Sequence, residues 1–158
     1  MGTRSTIALE FADGTVQQVY CHWDGYLEHN GKILFEHYSN PFILRDLIDM
    51  GDISSLGRIV GTKHPFSPHE GDTQKAQYDA AMAAGATTFY GRDRGENGVS
   101  ARAFANFEDY VANHQYEEYE YILRTDGNWY VSKHDGPYVL LGEAIAEELK
   151  EQAEAEDA

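Results

Sequence analysis

The chain has 158 residues, 42% of them hydrophobic and 25% charged, and its 27 Asp and Glu against 12 Lys and Arg leave a formal net charge of −15. That length suits one domain and is short for two separate cores, while the charge repels phosphate, so direct nucleic-acid binding and attachment to anionic membranes are not expected. No run approaches the roughly 18 to 20 apolar residues of a membrane span, the N-terminus lacks the apolar stretch of a signal peptide, and the lone Cys21 provides for neither an intramolecular disulfide nor a Cys-rich zinc site. Eleven Tyr, seven Phe and two Trp supply the burial a disordered chain lacks, so a folded cytoplasmic protein is expected.

Ile7, Leu9 and Phe11 alternate with polar or small neighbours over 4–11, Asp13-Gly14 supplies a turn, and Val16 to Trp23 reads as the return strand of a hairpin. Leu27, Asn30, Leu34 and Tyr38 have helical spacing. Asn40 caps a second helix with Pro41 at its first position and Leu44, Leu47 and Ile48 as its apolar stripe. Residues 51–57 read as a turn segment, 61–71 as the longest loop, and Asp72 or Thr73 as the cap of an Ala-rich helix through Ala84. Thr87 to Tyr90 is a short strand that runs into the glycine-bounded polar loop Gly91–Gly98.

Asn106 caps a helix over 107–113. Along 117–124, Glu118, Glu120 and Ile122 share one face and Tyr119, Tyr121 and Leu123 the other; Asp126-Gly127 then turns the chain into a strand over 129–133. A final helix from about Val139 carries Leu141, Ile145 and Leu149. Two hairpins and a lone strand separated by helices do not alternate as a doubly wound sheet requires. The expectation is a single α+β domain over 1–150 and an acidic tail over 151–158. Its sheet is expected to be antiparallel, of about four or five strands, with helices mainly on one face.

His22 and Asp24 fall on the same side of an extended chain with Tyr26 just beyond, a trio suited to proton transfer; Glu96 joins it as a candidate catalytic group if the protein is an enzyme. The same residues suit a plain hairpin end in which Trp23 packs in the core. Arg92, Asp93 and Arg94, between glycines, suit an anion pocket whose guanidiniums grip phosphate or carboxylate, or equally a salt-bridged loop. The spacing is not that of a P-loop, Gly-x-Ser-x-Gly is absent, and His22, Asp24, His29, His37, Asp93 and Glu96 lack any metal-ligand spacing, so neither metal nor cofactor is expected. Seven acids face one Lys over 143–158, with Glu143, Glu147 and Glu151 at i, i+4, i+8, about 6 Å apart along a helix and near the phosphate spacing of a nucleic-acid strand. Glu117, Glu118 and Glu120 lie among Tyr116, Tyr119 and Tyr121, a composition suited to protein binding as well as to a half-buried strand.

TRSTIA at 3–8, HWDGY at 22–26, GDISSL at 51–56, FYGRDRGE at 89–96 and DGNWYV at 126–131 together resemble a family of small uncharacterised acidic proteins carried by tailed bacteriophages, prophages and mobile elements. The resemblance implies a bacterial host cytoplasm and, by analogy with other phage-borne acidic proteins, an accessory factor that binds a host enzyme or defence complex, some such factors resembling DNA in charge. The leading expectation is inhibition or redirection of a host protein with a basic surface through an acidic, Tyr-rich face containing Glu117, Glu118, Glu120, Glu143, Glu147 and Glu151. The alternative is an enzyme or sequestering protein for a phosphorylated small molecule or nucleotide, using His22, Asp24, Tyr26, Glu96, Arg92, Asp93 and Arg94. The sequence sets no oligomeric state.

Overall fold

The computed structural model describes residues 3–114 and 116–157. Its strands are β1 (Ser5–Glu10), β2 (Val16–Cys21), β3 (Ile53–Ser55), β4 (Thr88–Phe89), β5 (Arg102–Phe104), β6 (Tyr119–Leu123), β7 (Trp129–Lys133) and β8 (Val139–Leu140). Its helices are α1 (Lys32–His37), preceded by a π-helical turn over Leu27–Gly31, α2 (Pro41–Asp49), α3 (Asp72–Ala84), α4 (Tyr90–Arg94), α5 (Phe107–Asn113) and α6 (Leu141–Asp157).

The sheet corrects the sequence expectation. It has eight strands in the order β4-β3-β2-β1-β6-β7-β8, with β5 on β2 beside this path, and it is mixed: β1 runs parallel to β6 and β2 parallel to β3. Both expected hairpins are present, β1 with β2 and β6 with β7. What joins them is a parallel pairing between chain segments more than a hundred residues apart, which local alternation cannot register. The strands missed are β3, β5 and β8, of two or three residues each, too short to show a period.

β1 lies at the centre of the sheet and is buried along its whole length. Ile7 and Leu9 face a core with Val19, Leu34, Leu44, Leu47, Ile48, Tyr121 and Val131, covered by α1, α2 and α6. Ala8 faces a second core with Val16, Phe104, Tyr110 and Ile122. Helices therefore cover both faces, because α5 places Tyr110 on the side opposite α2.

Two of the expected caps are in place, Asn40 Oδ1 accepting from Phe42 N at 2.9 Å and Asn106 Oδ1 from Asp109 N at 2.8 Å, whereas α3 starts from Gly71 with no side-chain cap and Asp72 is already its first residue. Residues 51–57 are strand rather than turn over 53–55, Tyr90–Arg94 is a helical turn rather than loop, and residues 151–157 continue α6 instead of forming a separate tail. No helix among the described residues is long and apolar enough to cross a membrane.

Glu10 closes the far end of β1. Its carboxylate accepts from Arg124 Nε and NH2 at 3.2 and 3.1 Å and from Thr125 N and Oγ1 at 3.0 and 3.2 Å. Burial pushes its pKa up, but the bonds to Arg124 and Thr125 outweigh this and hold it below the ordinary 4.5. A carboxylate whose folded pKa is depressed stabilises fully above its unfolded pKa and loses that contribution as pH falls through the folded value. Glu10→Gln should cost about 2 kcal/mol at neutral pH, measured by urea unfolding. The gap from the native chain should close well below pH 4.5; a gap independent of pH would show that shape, not charge, matters there.

Candidate functional site

The HWDGY segment is built around a close approach. At Gly25 an added Cβ would lie 2.7 Å from Ser5 Cβ and 2.9 Å from Thr3 O, so only glycine lets the chain leave β2 and pass beneath the start of β1. Tyr121 Oη donates to Gly25 O at 2.6 Å, and buried Asn30 Nδ2 donates to Trp23 O at 3.2 Å and Ser5 Oγ at 3.3 Å. Trp23, expected in the core by the structural reading of this segment, is 44% exposed.

The bend separates the proposed trio. Asp24 has φ 59°, in the left-handed region, so the strand alternation that would align it with His22 ends one residue early. His22 Nδ1 hydrogen-bonds the Tyr20 hydroxyl at 2.7 Å and the ring stands edge-on to Trp23; burial and then Arg4 push its pKa down, against the pull of Glu117. Asp24 faces Tyr26 instead, and its charge is the main cause of a raised Tyr26 pKa. The sequence gives no warning of this, because Asp-Gly marks a turn without fixing its hand.

The Gly91–Gly98 segment holds a buried clasp. Arg92 spends all five N–H donors: Nε on Asp93 Oδ1 at 3.0 Å, NH1 on Val60 O and Gly61 O at 3.0 Å each, and NH2 on Thr87 O at 2.8 Å and Asp93 Oδ2 at 3.2 Å. Asp93 also accepts from Phe89 N at 2.8 Å and His64 N at 3.1 Å, and its side chain is fully buried. His64 lies inside the clasp, Nδ1 at 2.7 Å from Pro65 O and Nε2 at 3.1 Å from Thr87 O. Arg92 therefore offers a phosphate no free donor. Arg94 is exposed, bonded through Nε to Glu96 Oε2 at 2.7 Å and lying over the Phe66 and Tyr90 rings. No hydrogen bond, ion pair or ring contact joins residues 22–26 to 92–96 among the described residues.

The acidic residues of β6 divide between inside and outside. Glu118 is exposed and Glu117 partly so, but Glu120, expected on a partner-binding surface, is 1% exposed. His114 Nδ1 lies 2.7 Å from Tyr110 O, which can only accept, so that nitrogen carries a proton; Nε2 stands 2.6 Å from Glu120 Oε2, an ion-pair contact without the alignment of a hydrogen bond. Tyr138 Oη donates to the same oxygen at 3.0 Å and lies 3.4 Å from the Tyr110 hydroxyl. Burial, ahead of the neighbouring groups, pushes both phenols well up, so they stay protonated. His114 and Tyr138 carry no periodic signal in the sequence.

The remaining acids gather on α6. Glu143, Glu147, Glu151 and Glu154 are exposed, and among the described residues no cation lies within ion-pair distance of them. Glu28, on the π-helical turn, comes against this helix: its carboxylate, accepting from the protonated Glu148 carboxyl, is the first cause of a raised Glu148 pKa, and Gln152 Nε2 donates to Glu28 Oε1 at 3.2 Å. Tyr119 shares this surface, its phenol pushed up by burial and then by Glu28, Glu148 and Glu118. Glu28 and Glu148 were missed because their proximity depends on α6 packing against the turn.

No protein-family model, curated protein or solved structure matches the chain. Among the described residues no group of three or more His, Cys, Asp and Glu side chains is arranged to hold a metal ion.

Proposed function

We propose that this protein is an accessory binding protein that inhibits or redirects a bacterial host protein by presenting an acidic surface to a basic one. The observation that carries this reading is the outer face of α6, where exposed Glu143, Glu147, Glu151 and Glu154 form no ion pair among the described residues and where Glu28 and Glu148 are held against each other. Like charges at helical spacing cost a few tenths of a kcal/mol each. An opposite surface relieves that repulsion and steers association at long range. Tyr119, half-buried beside Glu28, Glu118 and Glu148, adds a stiff aromatic of the kind that anchors interfaces. Glu120 takes no part, being enclosed beneath α5. The bacterial host and the phage-type setting rest on the motif resemblance, and a defence or nucleic-acid enzyme is the kind of target whose basic surface would suit.

Tagged protein should capture one bacterial protein from lysate in a salt-sensitive manner, and purified target should bind with an affinity that falls steeply with ionic strength. Combined reversal of Glu143, Glu147 and Glu151 to Lys should reduce that affinity at least about a hundredfold, since close interfacial charge pairs are worth about 1.5 kcal/mol or more each. Thermal stability should hold, all three side chains being exposed. Binding that survives the triple reversal, or that is indifferent to salt, would overturn the reading.

A further inference from the structure

We propose that the groove between the N-terminal turn of α2 and the ends of β1 and β6 binds a small amphipathic anion, a carboxylate with an aliphatic or aromatic body, with Arg45 as its anchor. The groove encloses about 460 Å³, within the range of about 300 to 1,000 Å³ common for small-molecule sites. Its floor is Leu9 and Leu123, register partners in the parallel β1–β6 pair, and its walls are Phe11, Pro41 and Phe42. It lies beyond the carboxyl ends of two parallel strands, the position at which open sheets commonly seat their ligands.

The charge arrangement selects the occupant. Of the seven arginines, Arg92, Arg94, Arg102 and Arg124 pair with Asp93, Glu96, Asp52 and Glu10, Arg58 donates to Ala83 O, and the charge of Arg4 acts on the Tyr20 hydroxyl and the His22 ring. Arg45 alone among the arginines has no hydrogen bond, ion pair or electrostatic partner among the described residues, and it lines this groove. It stands three residues after Phe42, on the same face of α2. Phe42 is 75% exposed, the most exposed large apolar side chain described.

A cation would find no counterpart here, because the only carboxylate on the groove, Glu10, is already saturated by Arg124 and Thr125. An apolar molecule without charge would leave Arg45 unused. A carboxylate satisfies the guanidinium bidentately while its body covers Phe11 and Phe42. The net charge of −15 opposes this only at long range. At physiological ionic strength charges beyond about 8 Å are largely screened, so the contact with Arg45 prevails.

Decanoate is a suitable probe, titrated calorimetrically into the full chain beside decyltrimethylammonium, which has the same tail and the opposite charge. Saturable one-to-one binding of decanoate is expected, weakened about tenfold by Arg45→Ala, the loss of one charge-assisted contact. Phe42→Ala should weaken it as well, Arg58→Ala should not, and the cationic probe should bind at least about tenfold more weakly. Thermal stability should be unchanged in Arg45→Ala and Phe42→Ala, since both side chains are exposed. Absence of saturable decanoate binding at millimolar concentration would overturn the proposal. So would affinity indifferent to both groove substitutions, or a dimer that forms with concentration and dissolves in Phe42→Ala, which would make the groove a contact between copies.

Discussion

Asp93→Ala should lower the stability of the fold by about 3 to 5 kcal/mol, the range for removing one partner of a buried ion pair. The carboxylate carries more than its charge pairing. It accepts from Phe89 N and His64 N as well as from Arg92, so its loss leaves the guanidinium without its counter-ion, two of its five N–H groups unpaired, and two backbone N–H groups without their acceptor. These contacts tie together segments otherwise joined by loop. Arg92 reaches Val60 and Gly61, Phe89 lies in β4, and His64 sits in the long connection before α3, a helix with no buried residue of its own. Loosening should therefore spread over 57–71 and α3, read as faster amide exchange there than in β1. Asp93→Asn keeps one acceptor oxygen and should fall between the native chain and the alanine variant. If these residues instead formed an open anion pocket, Asp93→Ala would cost under about 1 kcal/mol, as surface substitutions do, and phosphate would stabilise the native chain measurably.

The clasp also marks where sequence reading stops. The two hairpins, the Asn40 and Asn106 caps and the Asp126-Gly127 turn were legible because each depends on neighbours within a few residues. Residues 91–98 read as an anion pocket or a salt-bridged loop; the ion pairs of Arg92 and Arg94 fit the second, but nothing local says that Val60, Gly61 and Thr87 will supply carbonyls that bury Arg92 and Asp93. Pairing suffered similarly: the alternation of β1 and β6 is plain, but not that they lie side by side and parallel. For Glu120 the period was right and the environment wrong. Glu118, Glu120 and Ile122 do share a face, but α5 covers that face at Glu120 and leaves Glu118 in solvent. The acidic face of α6 was readable in the sequence, while its meeting with Glu28 and Tyr119 required the packing of that helix.

The His114–Glu120 pair should behave differently from the Asp93 clasp when both partners are removed. His114→Leu leaves a carboxylate that is 2% exposed facing an apolar side chain, with Tyr138 Oη at 3.0 Å and Glu117 N at 3.4 Å as its remaining donors among the described residues. Glu120→Leu leaves the imidazole Nε2 and the Tyr138 hydroxyl facing a hydrocarbon. Each single change should cost about 3 kcal/mol, the lower end for breaking a buried pair. The double variant removes both polar groups and adds apolar volume to a core that already holds Ile122, Phe104 and Tyr110. Its cost should fall at least about 2 kcal/mol short of the sum of the two, the coupling expected between contacting residues. Recovery should be incomplete, because Tyr138 keeps only the longer contact to Tyr110 at 3.4 Å. Denaturant unfolding of the four proteins closes the cycle, and additive losses would mean that His114 and Glu120 are held apart by the fold and gain nothing from each other. Coupling of the expected size would assign Glu120 to the fastening of α5 over the sheet and leave α6 as the acidic surface open to a partner.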